Sequence, residues 1–169
     1  MKKVILYIAE SLDGFIAKKD GDVSWLEEFN SEKLGINTFL DSIDTTVQGN
    51  TTFRQFGTAS AKKNNYVFTH EDAPKAAEGV AFVKGSTKEF IENLDENTHK
   101  NIWIVGGANL LSGFINENQV DEIILFIMPI LLGEGISLFD NLNSFPSLKT
   151  LTTEKFSNGV VKIHYKVKK

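Results

Sequence analysis

Apolar residues run unbroken through Val4-Ile5-Leu6-Tyr7-Ile8-Ala9, without the alternation of a half-exposed strand. Such a run predicts a strand covered on both faces, as in a parallel or mixed sheet under helices. Ser11 to Ala17 reads as a turn and a short return strand, and the Asp20-Gly21 pair marks an exposed loop over 18–22. Ser24, with Glu27 three positions on, is a capping box that opens a helix. The types then alternate: strand 45–48, helix from about Thr51, strands 66–69 and 80–83, helix 88–94, strand 102–105 and helix 109–115. That is a βαβ rhythm.

Two of these helices have local support. Ser86 and Glu89 form a second capping box, and Leu110, Leu111, Phe114 and Ile115 share one apolar face. An apolar strand over 123–128 is stopped by Pro129. The period then changes: Val161, Ile163, Tyr165 and Val167 alternate with Lys162, His164, Lys166 and Lys168, and Ser157-Asn158-Gly159 turns that strand back onto 148–156. Parallel strands and helices come first and an antiparallel hairpin last, on one α/β domain over 1–169.

Composition narrows the function. At 169 residues, with 41% hydrophobic and 24% charged positions, one domain can bury a sizeable core. A net charge of -4 and the lack of any block of like charges argue against nucleic acid or a membrane surface as partners. With no cysteine, disulfides, thiolate catalysis and Cys-based metal sites are excluded, and His70, His99 and His164 lack ligand spacing, so no metal is expected. Met1-Lys2-Lys3 and the apolar run imitate the start of a signal peptide, but Glu10 and Asp13 cut the run short, and no segment approaches a membrane span. A cytoplasmic protein is expected.

Two segments could carry chemistry. In Ile102-Trp103-Ile104-Val105-Gly106-Gly107-Ala108-Asn109-Leu110-Leu111 a strand enters two glycines and then a helix. Glycine lets backbone approach a ligand, and a helix start offers free N–H groups to phosphate; the same pattern also serves a plain tight turn. It is not G-x-G-x-x-G. Gly49-Asn50-Thr51-Thr52 repeats the arrangement after strand 45–48, with Asn50 or Thr51 as the N-cap and either a diphosphate or nothing beyond the cap as its partner. Two such turns in one chain suit a diphosphate gripped from both sides.

The ordered set Ser11-Leu12-Asp13-Gly14-Phe15-Ile16-Ala17, Ser24-Trp25-Leu26, Gly49-Asn50-Thr51-Thr52-Phe53, Val105-Gly106-Gly107-Ala108-Asn109-Leu110 and Pro129-Ile130-Leu131-Leu132-Gly133-Glu134-Gly135 with Leu138-Phe139 resembles the reductase domain of bacterial riboflavin biosynthesis. That domain belongs with dihydrofolate reductase. The resemblance implies a three-layer α/β fold with a mostly parallel sheet of about eight strands, flanking helices and a closing antiparallel hairpin. It also implies NADPH ahead of NADH, a small pterin- or pyrimidine-like heterocycle as substrate, and a homodimer. Carried over by position, Ala9 and Ile16 meet the nicotinamide amide, and Trp25 lies near cofactor and substrate. Gly49, Asn50, Thr51 and Thr52 lie along the diphosphate, Thr69 and His70 mark the adenosine side, and Gly106, Gly107, Ala108, Asn109, Leu110 and Leu111 form the second diphosphate turn.

The chain departs from the family in three places. Asn50 stands where members usually have Arg or Lys; Arg54, the only arginine, lies four residues on, on the same helix face, and is the substitute, with Lys62, Lys63, Lys84 and His70 as further candidates for a 2′-phosphate. Val105 stands where an acidic residue is usual, and no second arginine exists to clamp a phosphoribosyl group. Hydride transfer to C=N or C=O also needs a proton, for which Glu27, Glu28 and Asp13 are the carboxylate candidates. Glu27 doubles as the capping-box residue and Asp13 as a turn residue. Dihydrofolate reductase, which wants a carboxylate on its first helix, and a nucleotide-binding module without turnover are the rival readings.

Overall fold

The structure is a computed structural model that describes residues 1–29, 34–72 and 77–169. The apolar run becomes β1 (Lys3–Ser11), at the heart of an eight-stranded sheet. The other strands are β2 (Phe15–Ala17), β3 (Thr45–Gly49), β4 (Asn64–Phe68), β5 (Val80–Val83), β6 (Asn101–Gly106), β7 (Glu122–Met128), β8 (Ile136–Ser137), β9 (Leu148–Lys155) and β10 (Val161–Val167). Across the sheet the order is β5-β4-β3-β6-β1-β7-β10-β9, parallel as far as β7 and antiparallel through the last hairpin. Gly159 closes that hairpin with φ 88, a conformation glycine adopts without strain.

Four α-helices are present among the described residues: α1 (Ile36–Ser42), α2 (Asn50–Phe56), α3 (Thr87–Asn93) and α4 (Ala108–Asn116). Side chains of a strand alternate between faces, so each inner strand feeds two cores. Val4 and Leu6 of β1 and Ile102 and Ile104 of β6 pack against Phe90, Ile91, Leu111 and Phe114 of α3 and α4. On the other face Ile5 meets Phe39 of α1 and Ile43, with Tyr7 and Trp103 against them. A sheet between two helix layers results, the three-layer arrangement expected from sequence.

Four local features add to or depart from the sequence pattern. The Ser24 helix is a 3₁₀ helix, Ser24–Phe29, and its start is held by Asp22, whose carboxylate accepts from the Ser24 N–H at 3.0 Å and from its hydroxyl at 2.8 Å. Ser24 therefore donates where a capping box needs it to accept. The return strand β2 pairs with β8 in a separate two-stranded sheet. Helix α1 carries no sequence-level cap: its N-cap is Gly35 at φ 84, and its apolar positions, Ile36, Phe39 and Ile43, appear only as a three-and-four spacing. Helix α2 starts at Asn50 with Gly49 as its N-cap and no side-chain capping bond, so neither Asn50 nor Thr51 has the capping role expected of it. The Ser86 cap is present, its hydroxyl accepting from the Glu89 N–H at 3.1 Å.

Topology opens a crevice between β3 and β6. From β3 the chain leaves through α2 toward β4, whereas from the adjacent β6 it leaves through α4 toward β7, in the opposite direction along the sheet. Where neighbouring parallel strands send their connections apart, a cleft forms beyond their carboxyl ends. Among the described residues no helix is long and apolar enough to cross a membrane.

Candidate active site

The two glycine turns meet in that crevice. Register sets Gln48 of β3 beside Gly106 of β6. A Cβ built on Gly49 would lie 3.6 Å from the Gly107 nitrogen, and one on Gly107 would lie 3.3 Å from Thr52 Oγ1. The Gly106-Gly107 peptide is cis, Gly106 has φ 138, and a Cβ there would meet nothing within 4 Å. Gly107 is the N-cap of α4, its carbonyl accepting from Leu111 N at 3.1 Å. The N–H groups of Ala108, Asn109 and Leu110 have no acceptor within the helix and stand at its positive end. Ala108 and Leu111 are buried and anchor the helix, Leu110 packs against the core, and Asn109 is exposed. Open backbone with unpaired donors and no side chain in the way fits an anionic group such as a diphosphate.

The second turn carries a different electrostatic arrangement. Glu71, just past β4, accepts from Asn50 Nδ2 at 3.1 Å, and the same oxygen pairs with Arg54. The two side chains expected to meet phosphate thus face a carboxylate. Thr51 is exposed and Thr52 half-buried. Thr69 is buried and its hydroxyl oxygen accepts from the Glu71 N–H at 3.1 Å, while His70 is exposed beyond the end of β4. Lys84 pairs with Asp72 at 2.8 Å, and Lys62 is exposed.

Beside Ala9 lies a cavity of about 230 Å³ lined by Tyr7 and Ala9 of β1, Trp103 of β6, Phe126 and Met128 of β7, and Leu26 and Phe29 of the 3₁₀ helix, with Leu34. Tyr7 stacks on Phe39 with ring centroids 4.0 Å apart and lies 4.8 Å from Phe126. Trp103 Nε1 donates to the Tyr7 carbonyl at 3.0 Å. Burial pushes the Tyr7 hydroxyl up to about 12, so it stays a hydrogen-bond donor at neutral pH. Trp25 packs in one cluster with Phe126 and Met128 at 6% exposure, and its Nε1 has no hydrogen-bond partner among the described residues. Buried N–H groups are normally paired. Ile16, on β2, packs against the larger core cluster.

The three carboxylates singled out by sequence lie elsewhere. Asp13 accepts from the Ser11 hydroxyl at 2.6 Å and from the Leu132 and Gly133 N–H groups at 3.1 and 2.7 Å. The Ser11 bond foremost, with those backbone donors, holds Asp13 below the usual carboxylate range, so it ties the turn after β1 to the 132–133 loop in ionised form. Glu27 and Glu28 are exposed and line no part of the cavity. Sequence reasoning passed over Tyr7, Glu71 and Glu10. Glu10 follows Ala9 on β1, where it registers with Ile127, and burial pushes its carboxyl up. The alternation of β1 puts Tyr7 and Ala9 on one face and Ile8 and Glu10 on the other, which the apolar run alone already encoded.

An eight-stranded sheet, parallel up to a closing antiparallel hairpin and covered by helices on both faces, is the dihydrofolate-reductase-like architecture. Residues 2–162 match the family described as the RibD C-terminal domain, and the chain belongs to that family. It is 36% identical over 170 residues to the uncharacterized protein YwjB of Bacillus subtilis (strain 168), covering 97% of each chain. A putative riboflavin biosynthesis protein from Shewanella sp. PV-4 superposes with a TM-score of 0.86 at 28% identity over 99% of both chains. A dihydrofolate reductase from Enterococcus faecalis complexed with NADP(H) superposes with a TM-score of 0.73 at 17% identity, over 99% of this chain and 97% of that one, a likeness of fold.

Proposed function

We propose that the protein is an NADPH-dependent reductase of a small pterin- or pyrimidine-like heterocycle, reducing a C=N or C=O group. The observation that carries this reading is the contact between the Gly49 turn and the Gly106-Gly107 turn in the crevice between β3 and β6. Gly49 to Thr52 and Gly106 to Leu111 hold the diphosphate of the dinucleotide, Thr69 and His70 border its adenosine half, and Ala9 and Ile16 hold the nicotinamide amide through backbone groups. When bound, the reduced nicotinamide supplies the hydride.

The chain's own contribution is positioning, exclusion of water and proton supply. The cavity beside Ala9 faces a substrate ring with Tyr7, Trp103, Phe126 and Met128, whose apolar surfaces disfavour water beside the ring. Dihydrofolate itself fits poorly, since no carboxylate lines the cavity among the described residues. The enzyme works in the cytoplasm, as a homodimer. The exposed apolar side chains of Phe145, Leu148 and Leu151, the last two on the edge strand β9, are the surface that would serve the dimer.

Titration with NADPH and NADH, followed by nicotinamide fluorescence, tests the reading. Saturable binding of NADPH is expected, followed by its consumption when a ring substrate is added. Lack of binding to either dinucleotide by the folded protein overturns the proposal.

A further inference from the structure

Among the described residues, every side chain lining the cavity beside Ala9 is apolar or aromatic, and no lysine, arginine or histidine is among them. The chain's one arginine is engaged by Glu71 on the other side of β3. Against these side chains a phosphate or carboxylate would be desolvated without a counter-charge. Size sets the ring class. A dry cavity of about 150 Å³ holds a benzene ring, so the 230 Å³ here suits one or two fused rings.

One polar group gives the cavity a direction. The Tyr7 hydroxyl belongs to a lining residue; it is a donor and carries no charge. Phe126, whose ring lies 4.8 Å from that of Tyr7, and Trp103 line the cavity as well and offer ring faces for stacking.

We propose that this cavity binds an uncharged, unphosphorylated planar ring of one or two fused rings, oriented by the Tyr7 hydroxyl donating to a carbonyl on its edge. This rests on the reductase reading for the role of the ring as substrate, and names its class. The phosphoribosyl group of a riboflavin-pathway substrate has no counterpart in the cavity's chemistry. The pathway position follows in general terms: the reaction that supplies the ring must leave it without phosphate.

The test uses the intact chain and a matched pair, 5-amino-6-ribosylaminouracil and its 5′-phosphate, together with lumazine as a bare bicyclic ring. Binding is read by tryptophan fluorescence with and without NADPH. Lumazine and the riboside are expected to saturate the signal, and the phosphate to tighten binding by no more than about fivefold, the most an exposed ion pair gives. Tyr7→Phe, which keeps the stacked ring, is expected to weaken lumazine about fivefold, one neutral hydrogen bond. A phosphate effect beyond that limit overturns the proposal, as does a protein that binds NADPH and none of the three rings. The wild-type pair decides the matter even if Tyr7→Phe does not fold. Ring binding without dinucleotide binding supports the ring class while removing the reductase reading.

Discussion

Arg54 and Glu71 form an ion pair across the carboxyl ends of β3 and β4, and Asn50 donates to the same Glu71 oxygen. The pair is well exposed, 65% and 42% for the two side chains, so breaking it costs at most about 1 kcal/mol. A ligand phosphate could therefore take Arg54 from Glu71, but against competition from a carboxylate that stays beside it.

Glu71→Gln removes that competitor and leaves Arg54 and Asn50 free. The ratio of NADPH to NADH affinity is expected to rise by about threefold to tenfold, the range of one charge-assisted contact near the surface. Parallel titrations of wild type and variant measure it. An unchanged ratio would show that the 2′-phosphate lies away from Arg54.

Gly107→Val tests the crevice itself. The valine Cβ would lie 3.3 Å from Thr52 Oγ1, which must shift slightly, and its methyl groups would project where the diphosphate is placed. Dinucleotide affinity is expected to fall at least about tenfold, or 1.4 kcal/mol. Gly107 has φ -87, so the backbone itself admits a side chain, and a thermal melt separates lost binding from lost folding. Full affinity in a folded variant contradicts the placement.

The parts of the fold legible in the sequence are those where one physical signal dominates. Unbroken apolar runs marked β1 and β7, and period-two alternation marked β10, because burial on two faces or one face leaves no other pattern. Helix α1 escaped because it has no capping side chain and only seven residues. The glycine turns were visible singly; their contact was not, since it depends on β6 returning between β3 and β1. Charge was the least legible. Nothing local links Glu71 to Arg54, seventeen positions away, or shows that Asp13 spends its oxygens on the 132–133 loop.

The two Ser-x-x-Glu boxes give a direct measure of that distinction. Ser86→Ala removes an acceptor from the Glu89 N–H and is expected to cost about 1 kcal/mol. Ser24→Ala removes an exposed donor to Asp22, whose carboxylate still accepts from the Ser24 N–H, and is expected to cost about half that or less. Denaturant melts of both variants compare them. A larger loss at Ser24 would mean that the 3₁₀ helix depends on its hydroxyl.

For the proposed homodimer, β9 is an open edge of the sheet and all eight of its residues are exposed. Long exposed edges with apolar side chains invite pairing with another chain. Leu151→Asp, 42% exposed in the isolated chain, is expected to shift the protein from dimer to monomer with little change in the monomer's fold. Light scattering after gel filtration reads the mass. A variant that stays dimeric would move the interface off β9.

Glu10 carries the clearest pH dependence. Its carboxyl is half-buried, and burial alone raises it above the ordinary value of 4.5. The folded state therefore holds this proton more tightly than the unfolded chain does. Stability from the protonated form is complete below the unfolded value and is lost as pH rises through the raised folded one. Glu10→Gln has no such loss, so the gap in melting temperature between variant and wild type is expected to widen in the variant's favour from acid toward neutral pH. The same gap at both ends of the range would mean that Glu10 ionises in the folded protein as easily as in water.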